Sequence, residues 1–328
     1  MPELYLGIDT SNYKTSIAVT DRSNNTVFCR SEYLEVPEGS RGLRQSEAFF
    51  RHSNRLPLFI DEMVSEISAA NICAAGVSSR PRRVEGSYMP CFLAGMNAAR
   101  ELTAVLGIPL HEFSHQEGHA AAIIESEPAV IQGTAGLFHL SGGTSELLIC
   151  EADSEGYRME IAGGTRDISI GQLIDRAGVA MGFPFPSGAY LDELAESYYE
   201  TLGKTRSVIG KVKFSDGYFN LSGSETQVLR MIESSSEEDY PLIAYSIFER
   251  ISELLASSAC YISEQNDIGT VYMAGGVSAS SYMRRTVISR INSISSNPPE
   301  IIFGEPELSG DNAVGIARLA RRAENSRQ

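Results

Sequence analysis

Two of the five histidines in the chain, His115 and His119, lie four residues apart in the stretch FSHQEGHAAAII. Ser114 followed by Glu117 fits a capping box, which predicts a helix opening at Ser114. Residues four apart on a helix share a face, with Cβ atoms roughly 5–6 Å apart, a spacing that suits two imidazoles on one cation. Two nitrogens do not make a tight site, and a pair at this spacing also occurs as an ordinary polar helix face. A carboxylate from a distant segment would complete the set. Asp311, in LSGDNAVGIA, is the candidate: it follows a Ser-Gly turn and is placed to cap a final helix, where the backbone aims its side chain. Two histidines and a carboxylate suit zinc or iron equally.

A second set of residues could hold phosphate. LSGGTSELL places Leu140, Ser141, Gly142, Gly143 and Thr144 between two β-prone runs. Glycines let backbone approach an anion, and successive amides and hydroxyls can bond its oxygens. GIDTSNYKTS has the same character: Thr10 and Ser11 supply hydroxyls, and Asp9 could orient a metal-bound water or a phosphate-bound cation. Either stretch alone also reads as a plain hairpin, and neither is a Walker A or GxGxxG motif. In the segment 163–195, Asp175 sits mid-helix and Asp192 follows a Pro-Ser-Gly turn. These carboxylates could accept hydrogen bonds from ribose hydroxyls. Equally, Asp175 could pair with Arg176, and Asp192 could favour the positive end of its own helix.

The elements that must position these residues alternate. LYLGIDTSNYKTSIAVTD reads strand, tight turn, strand, and AGLFHLSGGTSELLICEA at 135–152 repeats it; VYMAGGVSAS at 271–280 is a third strand-to-glycine transition. Helices are predicted over 56–71, 91–107, 240–265 and about 312–322, with another from about Ser281. The recurrence about half a chain apart suggests a duplicated α/β fold of two lobes with a cleft between them. The division expected is 1–112 and 113–310, with the C-terminal helix at 311–325 packing back on the first lobe.

Composition excludes other classes. The 328 residues are 42% hydrophobic and 21% charged, which is ordinary for a soluble globular chain. No apolar run is long enough to span a membrane and no signal peptide opens the sequence, so a cytoplasmic location is the default. Five scattered cysteines without a CxxC pair argue against a disulfide framework. A net charge of -15 opposes non-specific adhesion to nucleic acid, so contact with RNA needs a local basic patch or a basic partner. SSRPRR at 78–83 is one candidate patch, or an ordinary solvated loop.

Taken together, LGIDTS, HQEGH, LSGGT, IGQLIDRAGVAMGFPFPSGAYLD, FNLSGSETQVL, AGGVSAS and SGDNAVGIA resemble, in the same order along nearly the whole chain, the TsaD (glycoprotease) family of tRNA threonylcarbamoyladenosine transferases. The resemblance implies the actin-like ATPase fold (ribonuclease H-like, α/β), with a nucleotide and metal cleft. It implies one divalent metal, zinc or iron, on His115, His119 and Asp311. It assigns contacts to ATP, AMP or threonylcarbamoyl-AMP to Leu140–Thr144, Asp175, Gly188, Asp192, Gly275, Gly276 and Ser280. The implied reaction passes a threonylcarbamoyl group from its adenylate to the adenosine beside the tRNA anticodon. TsaB-like and TsaE-like accessory proteins are the implied partners, with tRNA bound only alongside a partner; a homo- or heterodimer is left open.

The chain departs from the family pattern at several points. SGGHT becomes SGGTS, and CDET becomes NYKT with Lys14 in place of a carboxylate. The Asn of GGVxAN becomes Ser280, the basic residue of FSGLKT becomes Glu225, and a compact Gly-Pro-Gly turn becomes RPRRVEGSYMPC. These departures mark a divergent paralogue. The alternatives to tRNA modification are a non-catalytic nucleotide-binding partner or regulatory subunit, and a carbamoyltransferase with a different acceptor. No serine triad or HExxH helix can be assembled, which argues against a peptidase.

Overall fold

In the computed structural model, which describes residues 3–11, 13–35, 43–125, 133–154, 156–305, 308 and 313–326, the run LYLGID forms β1 (Leu4–Asp9), buried at all six positions. A strand buried on both faces needs cover on both. Leu4, Leu6 and Ile8 point into a core with Leu56, Phe59 and Met63 of α1 (Gln45–Glu66) and Ala94 and Ala99 of α2 (Phe92–Leu106). On the opposite face, Tyr5 packs with Ala320 of α9 (Val314–Asn325). Alternate positions of one apolar strand thus serve two helical layers.

The chain divides into two units. The first comprises Met1–Gly133, Glu151–Met159 and Gly310–Gln328; the second comprises Thr134–Cys150 and Glu160–Ser309. In the first, β2 (Lys14–Asp21), β3 (Thr26–Tyr33), β4 (Ile72–Arg80) and β5 (Leu110–Ser114) join β1 in the order β3-β2-β1-β4-β5. The β1–β2 and β2–β3 pairs are antiparallel, whereas β1–β4 and β4–β5 are parallel. In the second unit the order is β12-β11-β6-β7-β8-β10-β9. Here β6 is Thr134–Leu140, β7 Ser145–Ala152, β8 Tyr157–Thr165, β9 Phe214–Ser215, β10 Tyr218–Phe219, β11 Thr270–Ala274 and β12 Glu300–Phe303. From β8 to β12 that sheet repeats the first: three successive strands, then two joined in parallel through crossovers. The duplication suggested by the strand–turn–strand repeats is therefore present in the topology.

Two expectations change in detail. The helix expected over 56–71 begins at Gln45, with Pro57 inside it, and ends at Glu66. Polar residues at 52–55 interrupt the apolar period, but Ala48, His52, Leu56, Phe59 and Met63 form one buried stripe. His52 is accommodated there because its Nδ1 meets Thr15 Oγ1 at 2.7 Å. Secondly, α3 (His115–Ile124), placed after the 112 boundary by the sequence, groups with the first unit, whose boundary falls at Gly133. It packs on α9 through bare backbone: a side chain at Gly315 would run into the carbonyl of Gly118. Arg318 Nη1 donates to Ala122 O at 2.6 Å, and Glu125 accepts from Tyr157 Oη (2.6 Å) and Arg322 (2.9 Å), so both ends of the contact are pinned.

The same closeness holds between α9 and β1. A Cβ on Gly7 would meet Ala313 O and lie 2.5 Å from Ala317 N, both of them backbone. Gly7→Ala is therefore expected to push α9 off the sheet and cost about 2–3 kcal/mol, read as a lower urea midpoint at unchanged slope. An unchanged midpoint would show that α9 is not held this tightly.

Candidate functional site

Ser114 closes β5 and caps α3 as the sequence predicts. Its Oγ accepts from Glu117 N at 3.2 Å, and its own N donates to Glu117 Oε2 at 2.8 Å. The cap fixes where the first turn starts and hence where His115 and His119 point. His115 Nδ1 lies 2.8 Å from Asp9 Oδ2, and its Nε2 lies 3.0 Å from His119 Nε2. Phe92 stands edge-on to the His115 ring at 6.4 Å. Asp9 is 1% exposed, and its other oxygen accepts from Ser11 N at 2.7 Å.

This geometry has a chemical consequence. A carboxylate on Nδ1 holds the proton there and leaves the Nε2 lone pair for a cation, the usual arrangement behind a metal-bound histidine. Two Nε2 atoms 3.0 Å apart are closer than twice the ordinary zinc–nitrogen distance of about 2.0–2.1 Å, so one ion can reach both. Ser11 Oγ is buried beside this turn with no hydrogen-bond partner. The donor set fits a divalent metal. Asp311 lies outside the described residues, and among those residues no group of three or more His, Cys, Asp or Glu side chains is arranged to hold an ion. Thr10 takes a structural role: its Oγ1 donates to Cys91 O and accepts from Gly95 N, both at 3.1 Å, tying the end of β1 to the start of α2.

In the second unit the turn after β6 is the glycine-rich stretch that the sequence reads as a phosphate site. Ser141 N bonds Thr144 O (2.8 Å) and Ser141 Oγ accepts from Thr144 N (3.0 Å), closing the loop on itself. The amides of Gly142 and Gly143 have no protein partner among the described residues, and a side chain at either glycine would meet open space. The positive end of α4 (Ile170–Ala180) is set against this loop. Its N-cap Ser169 donates to Gly142 O at 2.7 Å, and Gly171 is so near that a Cβ would come 2.6 Å from Ser141 O. Gly275, at φ +93° after β11, brings a second turn against Leu140 O, where a side chain would clash; Gly276 follows it facing open space.

The aspartates read as ribose acceptors each accept from the start of a helix. Asp175, on α4, accepts from Ser187 N at 2.8 Å at the start of α5 (Gly188–Leu202), and the Gly188 amide also donates to it. Burial outweighs these donors and raises its pKa above the ordinary value. Asp192, one turn into α5, serves the start of α8 (Ser281–Ile294) and not its own helix: it accepts from Ser280 Oγ, Ser281 N (2.8 Å) and Tyr282 N (3.2 Å). Asp167 does the same for α6 (Ser222–Ser234), through Leu221 N at 2.8 Å and Ser222 N at 3.0 Å. The sequence flagged the first two carboxylates but could not show which amides they meet, because their partners lie up to 90 residues away.

Residues 36–318 match the family model described as TsaD, tRNA N6-adenosine threonylcarbamoyltransferase. The chain belongs to the TsaD family. Proteins of that name from Listeria monocytogenes and Thermotoga neapolitana are each 27% identical to it. The match covers 96% of this chain and 89% of the Listeria protein, and 95% and 92% for Thermotoga. Among solved structures, HypF from T. kodakarensis is similar with a TM-score of 0.64 at 13% identity, over 99% of this chain and 49% of its own. The activator of 2-hydroxyisocaproyl-CoA dehydratase from Clostridium difficile is similar with 0.54 at 15%, over 100% and 97%. The fold is the actin-like ATPase fold, as the duplicated sheets indicate.

The departures from the TsaD pattern are met locally. Glu225 is paired with Arg176 at 2.7 Å, so Arg176 does not serve Asp175. Ser280 caps α8 with the oxygen that accepts from Met283 N, and the Lys14 ammonium lies over the Tyr33 ring at 5.2 Å. In the basic stretch, Arg83 is spent on Asp153 (2.8 Å) and Glu117 (3.5 Å). No disulfide joins the five cysteines, and among the described residues no helix is long and apolar enough to cross a membrane.

Asp167 gives this site's pH test. Its partial burial raises the pKa, but the amides and hydroxyl of Leu221, Ser222 and Ile168 win and hold it at about 2 against an ordinary 3.8. A depressed carboxylate stabilises the fold above its unfolded pKa and loses that contribution as pH falls through the folded one. Asp167→Asn should therefore melt a few degrees lower near pH 6, with the gap to wild type narrowing below pH 4 and closing near pH 2. A gap independent of pH would assign the loss to something other than this charge.

Proposed function

We propose that the chain transfers a threonylcarbamoyl group from threonylcarbamoyl-AMP to the adenosine beside the tRNA anticodon. One divalent metal, zinc or iron, is held by His115, His119 and Asp311, and TsaB-like and TsaE-like proteins act with it. The observation that carries this reading is the convergence of the two histidine Nε2 atoms with Asp9 fixing the nearer ring. Membership of the TsaD family supports the substrate class.

In this reading His115 and His119 bind, and Asp9 orients; Asp9 also keeps the His115 proton on Nδ1, away from the ion. The free amides of Gly142 and Gly143, with the start of α4 behind them, receive the adenylate phosphate. Asp175 keeps acceptor capacity beyond the amides it caps and takes a ribose hydroxyl; Gly188, Asp192, Gly275, Gly276 and Ser280 shape the backbone around the nucleotide. A bound divalent ion supplies Lewis acidity toward the carbamoyl oxygen. Attack by the adenosine amine forms the new carbon–nitrogen bond as the bond to AMP breaks and the amine proton is lost to solvent, and the glycine-rich turn holds the departing phosphate.

Metal analysis of protein loaded with Zn(II) or anaerobic Fe(II) is expected to find one ion per chain. His115→Ala and His119→Ala should abolish it, and Asp9→Asn should weaken affinity about 10- to 100-fold. Transfer of labelled threonine to a tRNA transcript, with accessory proteins supplied, should follow the same order. Metal binding without transfer would point to the different-acceptor reading. Adenylate binding with no metal would point to the non-catalytic subunit.

A further inference from the structure

The chain has only four lysines, and three of them, Lys204, Lys211 and Lys213, fall within ten residues. With Arg206 they make GKTRSVIGKVK at 203–213, four cations and no carboxylate in a chain of net charge -15. The segment links α5 to β9, and its shape is fixed from below by α7 (Tyr240–Asn266) and α6. Tyr245 Oη bonds both Thr205 N (3.0 Å) and Thr205 O (2.9 Å), and Ser246 Oγ accepts from Val208 N (3.1 Å). Arg250 Nε donates to Ile209 O (2.8 Å), and Gln227 Oε1 accepts from Gly210 N (3.0 Å). A loop pinned by its backbone in this way presents its charged side chains outward, and Lys204, Arg206, Lys211 and Lys213 are all exposed.

The segment borders an open groove of about 670 Å³, lined by Lys204, Arg206 and Lys211 together with Arg250 and Arg290. The two carboxylates in the groove are already matched. Glu249 pairs with Arg290 and accepts from Tyr282 Oη at 2.6 Å; Glu253 pairs with Arg250 at 2.6 Å and Lys211 at 3.4 Å. Among the described residues Lys204 and Arg206 form no ion pair, and Arg290 Nε is buried without an acceptor. Five cations against two carboxylates leave a local excess of positive charge around this groove in an otherwise acidic protein.

We propose that this groove takes the phosphodiester backbone of an RNA strand. The proposal rests on the tRNA reading above and adds where that RNA is held. The charges are spread along an exposed loop and the groove is open, which suits an extended strand better than a compact anion. Lysine ammonium groups are hydrated point charges that position a phosphate without reading a base. The groove thus supplies a local basic patch of the kind that an acidic chain needs for RNA.

Fluorescence anisotropy of a labelled tRNA transcript tests it, with the full chain at about 50 mM salt and a salt titration. Lys204→Glu/Lys211→Glu should lose tenfold or more in affinity, and Lys204→Gln/Lys211→Gln should flatten the log K against log salt slope by roughly 1.5. Arg44→Glu/Arg158→Glu, which changes net charge as much elsewhere, should lose little, and all variants should melt like wild type. Equal loss in both charge-reversal pairs, no RNA binding by wild type, or full displacement of RNA by inorganic triphosphate at matched phosphate concentration would each overturn the proposal. The transfer assay separates the two readings. Intact transfer with an unchanged KM for tRNA in the Lys204→Gln/Lys211→Gln protein sinks the groove alone; groove-dependent RNA binding without transfer sinks the proposed reaction alone.

Discussion

One hydrogen bond, between the His115 ring and the Asp9 carboxylate, joins the last residue of β1 to the first of α3, and the packing of the first unit fixes both its ends. A carboxylate 1% exposed is costly unless donors surround it. Asp9 has the Ser11 amide on one oxygen and His115 on the other. The Ser11 amide is supplied by the turn that Asp9 itself opens, but His115 would not reach it if β1 and α3 stood at the ordinary distance set by side chains. The glycines at 7, 118 and 315 remove that spacing, letting α9 lie against both elements with backbone touching backbone. The histidine pair is in this sense a product of close packing as much as of its four-residue spacing.

The second unit follows a different rule. Its glycine-rich turn is a loop whose own hydroxyl and carbonyl satisfy its ends, leaving the two glycine amides in the middle without a protein partner among the described residues. Around it, three aspartates each spend their oxygens on the start of another helix, so that α5, α6 and α8 are all positioned by carboxylates from outside themselves. Such caps stabilise by about 1 kcal/mol apiece and also set helix direction. The cap on α8 includes Ser280 itself, so the departure there keeps a structural donor.

Much of this was legible in the sequence, for reasons that can be named. The Ser114–Glu117 box and the His115–His119 face are local signals, and local signals survive without coordinates. The duplicated strand–turn–strand units were legible because each pairs a β-prone run with a small-residue turn. What escaped was set by distance along the chain. Asp9 is 106 residues from the ring it orients, and Asp192 is about 90 from the amides it caps. The early start of α1 escaped because His52 occupies a core position that its bond to Thr15 makes tolerable. The lysine cluster needed no coordinates to be counted, but only the groove beneath it shows what the charges border.

The central claim is that the two imidazoles act as ligands of one ion, and X-ray absorption of zinc-loaded protein addresses it most directly. The account predicts a first shell with two imidazole nitrogens at about 2.0–2.1 Å in the wild type, and loss of that bound-zinc signal in His119→Ala. A first shell of oxygen alone, unchanged by that substitution, would contradict it.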